Sequence, residues 1–184
     1  MAGAQTFTAM DHSTRDQWMV IAHETMENQP RVADQVLAML EQAAGITDGF
    51  AVDQKEHSLQ TATRAERAGA DEELIVASLC HDLGKVVSVA NHPKIAAEFL
   101  KPYVREEVYM AIAYHQDFQG RHYYEHLGLD PNLREQHRGQ PWYELAEQFA
   151  DDWDQTSFDP DYDSLPLEHF EPMVRRVFAS PRSI

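Results

Sequence analysis

The chain has one cysteine, Cys80, in 184 residues, so no internal disulfide can form and a reducing cytoplasm is the expected compartment. Positive charge is also scarce. Fifteen lysines and arginines stand against 31 aspartates and glutamates, a formal net charge of −16. Phosphate backbones and anionic bilayers require a basic face, so neither nucleic acid nor a membrane is an expected partner. No apolar run approaches the length of a membrane span, and no basic segment followed by an apolar stretch opens the chain, so neither insertion nor secretion is expected. Internal repeats, low-complexity segments and sustained period-two alternation are all missing, which excludes repeat architectures and gives no support for strands.

What is present is helical patterning. Residues 1–13 read as a loose leader and 14–184 as a single domain with one core. From Thr14 the spacing of Trp18, Met19, Ile21 and Ala22, then of Val32, Val36, Leu37, Met39 and Leu40 beyond Pro30, predicts helices with a core-facing stripe. Further helices are predicted from Gln54 to about Gly69, from Asp71 as N-cap to Cys80 with Gly84 as a stop, from Pro93 to Phe99, and from Val104 to Tyr114. Gln116 to Pro141 is broken by Gly120, Gly128, Pro131, Gly139 and Pro141, and reads as a long loop fit to be a lid or a substrate wall. Helices from Trp142 to Trp153 and from Leu167 to Phe178 complete an all-α chain.

The stretch that organises the rest is Cys80-His81-Asp82-Leu83-Gly84-Lys85. A neutral imidazole and a carboxylate side by side can ligate one divalent cation, and the second carboxylate oxygen is free to bridge to another. Single histidines flank the pair: His57 upstream, then His92 and His115 downstream, with Asp151, Asp152 and Asp154 later still. His57, His81, Asp82 and His115 each adjoin predicted buried helical surface, where an unpaired ionisable group is costly. A bound metal satisfies such a set most simply. Cys80 is expected to be a core thiol that points away from the metal.

The order His57, His81-Asp82, late Asp resembles the signature of the HD-domain superfamily of helical metalloproteins, over roughly residues 50 to 160. The extra histidines, His92 and His115, make the chain similar to members that hold two metals, and in particular to the mixed-valent di-iron oxygenases, represented by myo-inositol oxygenase and the hydroxyphosphonate-cleaving oxygenases. Three features carry the resemblance: Lys85 three positions after Asp82, His92 opening a short helix, and an aromatic residue before the last aspartate, Trp153-Asp154, which selects Asp154. The resemblance implies a compact helical bundle in which His57, His81, Asp82 and Asp154 hold one iron while Asp82, His92 and His115 hold the other. Those Fe(II)/Fe(III) ions, with O2 as co-substrate, would cleave a small anionic hydroxylated compound.

By its size the chain looks closer to the phosphonate oxygenases. That implies C–P cleavage of a 1-hydroxyalkylphosphonate, with 1-hydroxy-2-(trimethylamino)ethylphosphonate, giving glycine betaine and phosphate, as the specific expectation. Lys85 and Arg121 are the candidates for the anionic group. Tyr114, Tyr123, Tyr124, Trp142 and Trp153 are candidates for an aromatic cage around a quaternary ammonium, with core packing as the competing role of each. The rival functions are a phosphohydrolase of nucleotides or small phosphate esters using Mn, Mg, Co or iron, and a metal-stabilised binding protein without turnover.

Overall fold

The computed structural model describes residues 7–182, and no strand occurs among them. Eight α-helices follow in order: α1 (Arg15–Glu27), α2 (Arg31–Gln42), α3 (Gln54–Arg67), α4 (Glu72–Cys80), α5 (His92–Leu100), α6 (Glu106–Gln119), α7 (Tyr143–Gln148) and α8 (Leu167–Val177). No helix among the described residues is long and apolar enough to cross a membrane.

Local chemistry sets several of the boundaries. The Asp53 carboxylate accepts from the Glu56 amide at 2.9 Å and the Asp71 carboxylate accepts from the Leu74 amide at 3.1 Å, so α3 and α4 both start on aspartate caps. Pro93 stands in the first turn of α5, where its missing N–H costs nothing. Helix α6 runs past the expected end at Tyr114 to Gln119, placing His115 inside a helix rather than after one. The segment between Gly120 and Pro141 is a chain of 3-10 turns rather than an open loop. After α7 the winding loosens into a π-helical turn, Phe149–Asp154, which buries Phe149, Ala150, Trp153 and Asp154.

The main core is built from α2 through α6 and α8, with Val36, Leu40, Val76, Leu79, Ile112, Phe170 and Phe178 fully buried. A second cluster joins Ala111 and Phe118 of α6 to Trp142, Tyr143 and Ala146. Trp142 is thereby accounted for by packing, and its ring stacks on Tyr114 at 5.3 Å. Cys80 is buried, and burial pushes its thiol far up, which makes it the core thiol expected.

Helix α1 corrects the sequence reading. None of its residues is buried, and Trp18, Met19, Val20, Ile21 and Met26 are all exposed. Four consecutive apolar residues, 18–21, wrap around the helix instead of forming one stripe, and no neighbouring element buries any of them. A capping box between Thr14 and Gln17 starts the helix without tertiary help. Of the expected leader, residues 1–6 lie outside those described, while Met10–His12 form a 3-10 turn and Phe7 packs on Trp18 at 5.3 Å.

The contrast between the helices is measurable. Phe178→Ala, which opens a cavity against Phe99 and Tyr103, is expected to cost about 3–5 kcal/mol in urea denaturation. Met19→Ala on α1 should stay within about 0.5 kcal/mol; an equal loss at both positions would show that α1 belongs to the core.

Candidate metal centre

Four helices and the π-helical turn bring six side chains to one point at the centre of the bundle. His57 comes from the first turn of α3, His81 and Asp82 from the end of α4, His92 from the start of α5, His115 from α6 and Asp154 from the end of the π-helical turn. His57, His81, His115 and Asp154 are at most 1 % exposed, Asp82 4 % and His92 6 %.

The orientation of the histidines is set from behind. Each Nδ1 lies against a backbone carbonyl: His57 on Ser157 at 2.9 Å, His81 on Ser78 at 2.8 Å, His92 on Val89 at 2.7 Å and His115 on Ile112 at 2.8 Å. A carbonyl only accepts, so each ring carries a proton on Nδ1, and in a neutral ring Nε2 is a lone pair aimed inward. Two of these nitrogens face each other, His57 Nε2 and His81 Nε2, 3.1 Å apart. One carboxylate oxygen of Asp82, Oδ1, and one of Asp154, Oδ2, are buried without a hydrogen-bond partner. A core of converging acceptors calls for cations, and two neutral-imidazole triplets already have the spacing. The donor atoms of His57, His81 and Asp154, and those of His81, Asp82 and His115, lie within 4.8 Å of one another.

Asp82 divides the cluster. Its Oδ2 lies 3.4 Å from His57 Nε2 and 3.5 Å from His81 Nε2, while Oδ1 lies 3.1 Å from His92 and 3.6 Å from His115. Asp154 Oδ1 sits on the first pair, 3.2 Å from His57 and 3.5 Å from His81. His81 appears in both compact triplets. Its closeness to Asp154 Oδ1 and to Asp82 Oδ2 groups it with His57, and leaves His92 and His115 to share the other Asp82 oxygen.

Burial alone would depress the His57 imidazole, but the Asp154 and Asp82 carboxylates overcome it and raise its pKa to about 9. Burial likewise opposes ionisation of Asp82 and Asp154, and the surrounding histidines hold both well below the usual carboxylate range. Burial dominates at His81, which is lowered, whereas at His115 burial is outweighed by the bond to Asp82 together with the charges of Asp154 and Asp82, and the ring is raised.

A cavity of about 660 Å³ opens above the Asp82 end, and Lys85, His92, Gln119, His122, Tyr123 and Phe158 are among its lining residues. Lys85 Nζ lies 2.6 Å from Asp82 Oδ2 and donates to Gln54 Oε1 at 3.1 Å. Arg121 is exposed and does not line this cavity, because the 3-10 turn at Gly120–His122 presents the next residue instead. Of the five aromatic candidates, Tyr123 lines the cavity, and Tyr114, Tyr124, Trp142 and Trp153 do not. The late aspartates separate cleanly: Asp152 is exposed, Asp151 turns to Arg134 and His122, and Asp154 enters the cluster.

Several contributors carried no sequence signal of their own. Gln119 donates to Asp154 Oδ1 at 3.0 Å, and the ring of Phe158 stacks on His57 at 4.3 Å and on Phe50 at 4.5 Å. Gly84 does not end a helix in a left-handed turn. It lets the start of α5 approach, since a Cβ there would stand 2.2 Å from the His92 carbonyl oxygen and 2.5 Å from its Cα.

An all-helical bundle around a buried His/Asp cluster is the class that this fold and site define. Residues 55–159 match the HD domain family, more than half of the chain, and the chain belongs to that family of metal-dependent enzymes. No curated protein matches the chain.

Two outcomes test the centre. Gly84→Ala should displace His92, lower bound metal and destabilise the fold by about 1–3 kcal/mol; metal content and melting temperature equal to those of the native protein would contradict the placement of His92. In the metal-free protein His57 keeps its proton up to about 9 against 6.5 in the unfolded chain, so its contribution to stability is full below 6.5 and lost as pH rises through about 9. A metal must displace that proton, so affinity in competition titrations should climb over this same window and level off above it.

Proposed function

We propose that the chain is a di-iron oxygenase that cleaves the carbon–phosphorus bond of a 1-hydroxyalkylphosphonate in the cytoplasm. The observation that carries the reading is the division of Asp82, one oxygen toward His57 and His81 and the other toward His92 and His115. One bridging carboxylate between two imidazole pairs suits two cations. A donor set of four imidazoles and two carboxylates favours iron and its neighbours over magnesium, which prefers oxygen ligands and water.

Iron in both positions would supply dioxygen reduction and a Lewis-acid seat for the substrate's hydroxyl and oxyanion. The chain's own residues do the rest. Phe158, stacked between Phe50 and His57, covers the His57 imidazole and excludes water from it. Gln119 fixes one oxygen of Asp154, and Lys85, at the floor of the cavity, meets the anionic group with a compact charge. Asp48, Phe50, Tyr123 and Phe158 share the cavity wall, a carboxylate with three aromatic faces that suits a quaternary ammonium. This supports 1-hydroxy-2-(trimethylamino)ethylphosphonate as substrate. The balance is one hydroxyphosphonate and one O2 giving one carboxylate and one phosphate, here glycine betaine and phosphate.

The test is oxygen uptake and phosphate release by anaerobically purified, iron-loaded protein given this compound. Equal uptake and release are expected, and His81→Ala or Asp82→Ala should abolish both together with metal binding. Phosphate freed from a phosphate ester or nucleotide with no oxygen consumed would contradict the oxygenase reading and make the chain a phosphohydrolase.

A further inference from the structure

Lys85 faces the anionic group of the proposed substrate while also holding Asp82, so a second basic group outside the metal cluster would complete the grip on an oxyanion. Of the cavity's basic lining residues, Lys85 lies on Asp82 at 2.6 Å and His92 belongs to the ligand cluster at 3.1 Å from Asp82 Oδ1. That leaves His122. Its side chain is 32 % exposed, and its Nε2 lies 2.8 Å from Asp151 Oδ1.

Behind that contact stands an unusual arrangement. Asp151 is gripped by the guanidinium fork of Arg134, with Nη1 donating to Oδ2 at 2.9 Å and Nη2 to Oδ1 at 2.7 Å. The Arg134 side chain is only 1 % exposed; it also reaches the Phe118 carbonyl and, at 3.4 Å, Glu147. An arginine this deeply buried is costly, and a bidentate carboxylate offsets the cost without any histidine. His122 is therefore not needed to satisfy the pair. The pair holds His122.

The turn that carries the ring is itself packed down. A Cβ at Gly120 would stand 2.5 Å from the Tyr124 ring, so only glycine lets Tyr124 fold under and bring His122 and Tyr123 to the cavity. With Nε2–H donated to Asp151, Nδ1 is the ring's remaining polar atom, and no residue among those described takes it. Arg134 and Asp151 keep the imidazole oriented.

We propose that His122 is a substrate-contacting residue that hydrogen-bonds through Nδ1 to the PO3 group of a phosphonate or phosphate in the cavity, with Asp151 and Arg134 as its positioning residues. The proposal rests on the reading of this cavity as the substrate site of a metal enzyme.

Calorimetry with methylphosphonate, which lacks the hydroxyl and is not turned over, tests it on the metal-containing protein. His122→Phe is expected to weaken binding by about tenfold or more with metal content and melting temperature unchanged. Equal affinity in native protein and variant, or no methylphosphonate binding by the native protein, would overturn the proposal. In diamagnetic zinc-loaded protein, Asp151→Asn should shift the 15N signals of the His122 ring; unchanged signals would remove Asp151 from the device. Metal is counted separately, so a protein with fewer than two metals whose anion affinity still depends on His122 contradicts the di-iron reading and leaves His122 in its role.

Discussion

Six side chains that water normally solvates are packed into the middle of this bundle, and their inward-facing atoms are nearly all acceptors. That crowding is the constraint on which the rest of the structure depends. Three of the four histidines are oriented by the carbonyl three residues before them, Ser78 for His81, Val89 for His92 and Ile112 for His115. His57 stands in the first turn of its helix and takes the Ser157 carbonyl, 100 residues further along, instead. The segment from Phe149 to Phe158 therefore closes the site in three ways: it brings Asp154, the carbonyl for His57 and the ring that covers it.

Such a core is unfavourable without cations. Two carboxylates held ionised among desolvated imidazoles leave His57 to retain a proton, and a divalent ion serves the same acceptors with more charge in less space. Metal binding and folding stability are thus coupled in this chain, because a ligand that binds only the folded state stabilises it. Gly84 and Gln119 belong to the same economy: one permits the approach of His92, the other fixes an oxygen of Asp154.

Much of this was legible in the sequence. The all-helical architecture followed from spacing, and the six candidate ligands followed from the His-Asp pair, the flanking histidines and the family resemblance. What was hidden depends on local winding or on distant pairing. The apolar residues of α1 looked like core because spacing cannot say whether any partner covers a helix. Trp142 takes the packing role expected of it, against Tyr114 and Phe118. At the rim a 3-10 turn leaves Arg121 exposed and puts the next residue, His122, in the cavity wall. Arg134, on a stretch that read as loop, is buried because its partner Asp151 lies 17 residues away on a π-helical turn whose register a 3.6-residue period does not predict.

Electron paramagnetic resonance of partially oxidised, iron-loaded protein tests the central claim most directly, because two irons that share the Asp82 carboxylate would be close enough to couple. The account predicts a coupled Fe(II)/Fe(III) signal that changes when a hydroxyphosphonate is added. Iron that gives only an isolated Fe(III) signal, or a protein that retains a single redox-inactive metal, would contradict it.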